Sequence, residues 1–221
     1  MDWTALSLSL TLGAATVLIL LPVGILVGRW LAFSRFRGRS AVEALLALPL
    51  VLPPTVVGYY LLVSLGSASP VGQAWRSAVG HSLVFSFEGL LLASLLVNVP
   101  FAVQPMQRGF EAVPSEVREA ALVSGFSRWR VLWQIDLPLA WPGIVTGLVL
   151  VFAHTLGEFG VVLMVGGSIQ GETRTIAIAI YDRVQAFDFA GAGVMSLLLL
   201  TISLVALAIT YALSRRIAPR A

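Results

Sequence analysis

Residues 3–28 read WTALSLSLTLGAATVLILLPVGILVG, and no Asp, Glu or Arg interrupts the run from Trp3 to Gly28. About 20 apolar residues in a helix span the roughly 30 Å of hydrocarbon in a bilayer. The window meets that length. Only Met1 and Asp2 precede it, so it lacks the basic start of a signal peptide, and the Arg cluster from Arg29 onward acts as a stop. The stretch therefore predicts a permanent membrane helix.

Similar charge-free windows recur outward from it, at Ala44–Trp75, Gly89–Gln107, Leu137–Gly157 and Ala190–Ser214. The uncharged Phe159–Gln170 reads as the end of the fourth span plus a glycine-rich loop. The expected spans are 4–28, 43–65, 86–107, 139–165 and 190–214, in one unit covering 1–221. The expected fold is all-α, a polytopic membrane bundle of about five helices.

Composition agrees. Hydrophobic residues make up 58% of the chain and charged residues 11%, against about 45–50% and about 25% in soluble domains. So few charges cannot cover a water-soluble globule. A soluble enzyme, a disordered chain and a disulfide scaffold are excluded. Cysteine is absent, which removes cysteine-ligated metal, iron–sulfur and thiol chemistry. All 14 basic residues are Arg. Without Lys the chain has neither a P-loop phosphate ligand nor a Schiff-base amine. The net charge of +3 is scattered over short loops and forms no nucleic-acid patch. His81 and His154 lack ligand spacing, so no metal site is expected.

The Arg residues set an orientation. Arg29, Arg35, Arg37 and Arg39 follow the first span; Arg108, Arg118, Arg128 and Arg130 follow the third; Arg215, Arg216 and Arg220 follow the fifth. Five crossings put these on one side, against Arg76, Arg174 and Arg183 on the other. The positive-inside rule then predicts an outside N-terminus and a cytoplasmic C-terminus.

Two internal features depart from plain spans. Pro49, Pro53 and Pro54 interrupt the second span. Each removes a backbone donor, and in lipid such a break must face protein or a watery cavity. The alternatives are a kinked packing helix and a helix lining a translocation path; broken helices at transport sites favour the second. The other feature is the long loop 109–138. Pro114-Ser115 starts a helix, with Ser115 as candidate N-cap. Glu116 and Glu119 suit its first turns. Val117, Ala120, Ala121 and Ser124 form a narrow face of small side chains, and Gly125 suits a left-handed cap. Ser127 can start a second short helix carrying Trp129, Leu132 and Trp133. The small face fits either the chain's own bundle or a groove on another protein.

Glu119-Ala120-Ala121, three residues, Gly125, nine residues, Ile135, one residue, then Leu137-Pro138 resembles the EAA signature of ABC importer permeases at every fixed position and gap. Three further stretches resemble the molybdate permeases of that family: Leu48 to Tyr59, Leu156 to Gly160, and Gly171 to Thr175 followed by Ile180-Tyr181. Tungstate and sulfate/thiosulfate permeases share much of this pattern. The resemblance implies the membrane subunit of a molybdate importer in the cytoplasmic (inner) membrane. It implies a second permease subunit, as a homodimer, two ABC ATPase subunits that use ATP and Mg, and an external oxyanion-binding protein. This chain itself would bind no cofactor and would not be an enzyme. The helix around Glu119–Gly125 would be the cytoplasmic coupling helix, seated on the ATPase, with Ile135, Leu137 and Pro138 completing the coupling motif.

Site expectations follow. Thr55, Ser94, Asn98, Thr146 and Thr155 are polar residues within spans, and each also suits a hydrogen bond to a neighbouring helix. Pro53, Pro54, Thr55, Asn98, Thr155 and Glu158 are the candidates for the path or gate. Glu158 is an ionisable group near membrane depth. It would repel an anion, so it reads as a gate or helix anchor paired with an Arg or with backbone donors. Glu172 and Arg174 are the candidates for docking the binding protein. Gly24/Gly28 and Gly143/Gly147 fit close helix contacts, inside the bundle or between copies. A competing class is an ion-coupled secondary transporter with Glu158 titrating, which would predict internal repeats that the sequence lacks.

Overall fold

The computed structural model describes residues 1–217, with side chains through Ala208. Arg220, counted above for orientation, lies outside the described residues, as do the side chains of Arg215 and Arg216. In chain order the helices are α1 (Trp3–Phe33), α2 (Arg39–Val51), α3 (Pro54–Leu65), α4 (Pro70–Val79), α5 (Phe87–Glu111), α6 (Ser115–Val123), α7 (Arg128–Val131), α8 (Leu137–Gly157), α9 (Gly160–Gly166), α10 (Ile176–Gln185) and α11 (Phe189–Ile217). A π-helical turn, Leu132–Asp136, joins α7 to α8. Four helical stretches among the described residues are long and apolar enough to cross a membrane. The bent pair α2–α3 makes a fifth if counted as one.

Helix α5 is the central element, with α1 and α8 against it. Lipid tails are as apolar as leucine, so helices in a membrane associate through close packing and hydrogen bonds. Both are present. A Cβ at Gly28 of α1 would sit 2.9 Å from the Gln107 backbone nitrogen. At Gly143 of α8 it would sit 2.5 Å from the Pro105 carbonyl oxygen. Gly24 and Gly147 likewise face Met106 and Ala102 of α5. Both small-residue pairs thus work inside the bundle. Halfway along, Thr16 Oγ1 meets Ser94 Oγ at 3.0 Å, and Asn98 Nδ2 donates to Thr155 Oγ1 at 3.2 Å, linking all three helices. Outward, Leu18, Leu26, Leu197, Leu200 and Leu204 are exposed, an apolar face suited to lipid.

The structure redraws several expected boundaries. The second span breaks at Leu52-Pro53 and bends by 105° into α3, whereas Pro49 stays inside α2. The fourth span, expected at 139–165, begins at Arg128 and stops at Gly157. The helix expected to start at Ser127 is its first turn, with the Ser127 hydroxyl accepting from Arg130 N. Glu158 then turns the chain, and α9 packs against α5 and α3; on the α3 side a Cβ on Gly160 would come 2.8 Å from Pro54 Cβ. Ser115 is the first helical residue, not the cap: Pro114, with extended ψ of 131°, holds the N-cap position.

Gly143→Val tests the α5–α8 approach. The clash is with backbone, which cannot yield as a side chain does, so overpacking of about 1–3 kcal/mol or more is expected. The detergent-solubilised chain should melt at a lower temperature. Gly193→Ala, where nothing lies within 4 Å of the new Cβ, should melt as the parent does.

Candidate functional site

The expected coupling residues fall on α6 and on the base of α8. Glu119 and Ala120 are exposed, Ala121 is half-buried, and no residue of α6 is fully buried. Val123 is 89% exposed, so the rod stands clear of its own bundle. Its C-terminus is closed by paired bonds: Phe126 N donates to Ala121 O and Gly125 N to Leu122 O, each at 3.0 Å. This 6→1 and 5→2 pattern needs a left-handed residue, and Gly125 supplies it with φ of +86°. Ile135 and Leu137 pack against the buried cluster of Met106, Phe110 and Ile144, while Pro138 is exposed at the start of α8. The motif therefore divides into an exposed rod and an anchor in the bundle.

A carboxylate between these halves joins them. Asp136, in the π-helical turn, is fully buried. Its Oδ1 accepts from Arg118 Nε of α6 at 2.9 Å, and its Oδ2 from Arg29 Nε of α1 at 2.9 Å. The Arg118 guanidinium also lies 3.5 Å over the Phe33 ring of α1. Charge-assisted bonds of this kind are roughly twice as strong as neutral ones. One buried side chain thus holds α6, the C-terminal end of α1 and the base of α8. Beside it, Arg39, Glu43, Gln107 and Glu111 tie the start of α2 to the end of α5.

The path candidates gather at the bend. A pocket of about 160 Å³ opens where the breaks of α2–α3 and α8–α9 meet, and Pro54, His154 and Glu158 line it. Glu158 Oε1 accepts from Val161 N at 3.0 Å and so caps α9. Its other oxygen, Oε2, lies 3.6 Å from His154 Nε2. The expected backbone donor is present; the other partner is His154 rather than an Arg. Asn98 and Thr155 sit behind this pair, buried in the interhelical ladder. Asn98 reaches the pocket through its 3.1 Å contact with His154 Nδ1. Pro53 and Thr55 are exposed at the bend and do not line the pocket.

Glu172 and Arg174, both at the other end of the bundle, face different hollows. Glu172 lines one of about 750 Å³ with His81 and Phe85. Arg174 pairs with Asp182 at 3.0 Å and approaches Asp2 at 4.0 Å. Nearby, the Gly191 N–H and the Arg183 guanidinium hold the Asp188 carboxyl below its usual range.

Asp136 and His154 are the functional candidates that sequence reasoning did not single out. Asp136 offered a signal: it is a lone carboxylate next to an apolar span. His154 did not, since its partners appear only when α5 and α8 pack.

Comparison with known proteins agrees with this geometry. A family described as the binding-protein-dependent transport system inner membrane component matches residues 21–219. The chain is 46% identical over 191 residues to the molybdenum transport system permease protein ModB of Azotobacter vinelandii, covering 86% of this chain and 84% of that one. With ModB of Escherichia coli K12 it shares 38% over 215 residues, 97% and 94% of the two chains. A probable sulfate transport system permease protein of Chlorokybus atmophyticus is 31% identical over 181 residues, 82% of this chain and 63% of its own. The fold is similar to that of a bacterial ABC transporter that imports alginate, with a TM-score of 0.77 at 21% identity, covering 97% of this chain and 79% of that one.

Asp136→Ala would leave two guanidinium groups facing each other without a counter-charge. Removing one partner of a buried pair costs roughly 3–5 kcal/mol, and the partly exposed Arg side chains place this case at the lower end. The α6 amides should exchange hydrogen much faster than in the parent, with Asp136→Asn intermediate. Unchanged exchange on α6 would mean that the clamp does not hold it.

Proposed function

The chain belongs to the binding-protein-dependent transport system inner membrane components, and from that membership we propose that it works as the permease subunit of an ATP-driven molybdate importer. It is a multi-pass transport subunit of the inner membrane. Relatives named as molybdenum permeases over nearly the whole chain support molybdate as the substrate. The working complex in this reading is a permease homodimer, two ATPase subunits that hydrolyse ATP with Mg, and an external binding protein that delivers the anion. The N-terminus faces outside, and α6 faces the cytoplasm.

The observation that carries the reading is the exposed, capped rod α6, fixed to the bundle through Arg118 and Asp136. Val117, Ala120 and Ser124 form a shallow exposed face that a groove on an ATPase subunit accommodates. Closure of the ATPase pair pushes the rod. The clamp passes that push to α1 and α8 and so to the bend. Moving a two-state permease from 1:99 to 99:1 takes roughly 5.5 kcal/mol of differential stabilisation, which a rod held by charge-assisted bonds transmits without yielding. Pro53, Pro54, Thr55, Asn98, Thr155 and Glu158 belong to the path and its gate. Glu172 and Arg174 belong to the surface that meets the binding protein.

Gly125→Val tests the rod. A Cβ there meets nothing within 4 Å, so the variant introduces no clash. Its cost is the left-handed backbone, about 1–2 kcal/mol, and it falls on the cap alone. The variant should insert normally yet lose ATP-driven molybdate uptake by at least about tenfold, a factor equivalent to roughly 1.4 kcal/mol. Full uptake would remove α6 as the point of force transfer. Because the chain has no native Cys, a single Cys at Ser115 should react only with a membrane-permeant thiol reagent in intact cells, and one at Glu172 with an impermeant reagent. The reverse pattern would invert the orientation.

A further inference from the structure

Helix α3 has two unlike sides. Val57, Leu61, Leu62 and Leu65 pack into one cluster with Ala93 and Val97 of α5 and Val161 and Val165 of α9. The opposite side is exposed and carries Thr55, Tyr59, Tyr60 and Ser64. Thr55 and Tyr59 are four residues apart, as are Tyr60 and Ser64, so each pair adjoins on the helix surface. Val56 and Val63 lie between the pairs, and α3 has no charged residue. Among the described residues, none of the four hydroxyls has a hydrogen-bond partner. Exposed threonines on other spans are committed to their own helix: Thr11 donates to Ser7 O and Thr201 to Leu197 O. Thr55 is denied that bond, because Val51, four residues back, belongs to α2 on the far side of the break.

We propose that Thr55, Tyr59, Tyr60 and Ser64 form a row of neutral donors along which the tetrahedral oxyanion passes to and from the bend. An unpaired hydroxyl is costly in hydrocarbon. The faces suited to lipid show Leu instead, as at Leu18, Leu26, Leu200 and Leu204. The hydroxyl side of α3 lies alongside the membrane-spanning α5, so water and a polar cargo are what it suits there. Each hydroxyl donates one bond to an anion oxygen, and bonds to a charged acceptor are the stronger kind. Nine steps of about 1.5 Å separate Thr55 from Ser64, close to half of the roughly 30 Å of hydrocarbon. The donors are thus spread along the path, and no Arg on α3 holds the anion at one point. Conduction needs that combination, sites favourable enough to enter and weak enough to leave. Tyr59, Tyr60 and Ser64 therefore join Thr55 as residues that touch the cargo.

The inference rests on the permease reading, and the test separates the two. The complete importer, with ATPase subunits and binding protein, is reconstituted in proteoliposomes, and molybdate uptake per ATP hydrolysed is measured. Tyr59→Phe combined with Tyr60→Phe removes two hydroxyls and leaves both rings. Uptake per ATP should fall by at least about tenfold, the scale of a lost hydrogen bond to a charged group. A second measurement reads the surroundings of the face without altering a donor. Val63, 55% exposed on the same side of α3, and Leu200, 63% exposed on α11, are each replaced by Cys in a chain that has none. A charged, lipid-insoluble thiol reagent is applied to the assembled importer without nucleotide and in a trapped ATP state. Val63→Cys should react in at least one state and Leu200→Cys in neither. A Val63→Cys as inert as Leu200→Cys would place the face against lipid or the second copy and overturn the proposal. Undiminished uptake per ATP in the double Phe variant would also overturn it, and both results leave the permease reading standing. A parent complex that moves no molybdate overturns both.

Discussion

One buried carboxylate sets the mechanical character of this protein. Asp136 accepts from Arg118 of α6 and from Arg29 of α1 while belonging to the helix that continues as α8. A charge out of water is tolerated only when it is paired and its lone pairs are filled, and Asp136 meets both conditions by drawing in two separate elements. The π-helical turn that carries it has the extra residue that such turns insert at functional positions. An exposed helix of nine residues would have little stability alone, since isolated helices shorter than about 12 residues are marginal in water. Here it is capped at one end and clamped at its middle.

In the proposed function, force entering at α6 has a defined route. The clamp reaches the C-terminal end of α1 and the N-terminal end of α8, and both helices lie against α5 through glycines that leave no slack. The polar ladder of Thr16, Ser94, Thr155 and Asn98 locks the same three helices farther along. Two elements begin or end at a break, α2–α3 and α9, and α9 is buried against α5 as well as α3. They meet each other through Gly160 and Pro54. A three-helix core packed through glycines, beside two interrupted elements, suits a protein that must change access without unpacking.

The local features were legible in the sequence, and the long-range ones were not. The spans showed as charge-free runs, and the cap of α6 followed from Gly125 because a left-handed turn is decided by its neighbours. The break at Glu158 was missed because Phe159 to Val165 stays apolar and reads as a continuing span; a side chain that caps the next helix has no hydropathy signature. The roles of Arg29 and Arg118 were hidden in a different way. Both count as topology charges, and nothing in the chain indicates that Arg29 bonds a carboxylate 107 positions away and shares it with Arg118. Asn98 and Thr155 showed as polar residues in spans, but their link to the pocket runs through His154 and exists only in the folded bundle.

The central claim is that α6 and the base of α8 move as one body. Spin labels at Val123 on α6 and Leu139 on α8, both exposed, in a chain without native Cys, report it directly. Their separation is measured by pulsed electron resonance in the assembled complex, without nucleotide and with a trapped ATP state. The account predicts one distance distribution in both states. A shift of more than about 2 Å, the scale of helix displacements at switching interfaces, would show that the rod slides on the bundle and would contradict it.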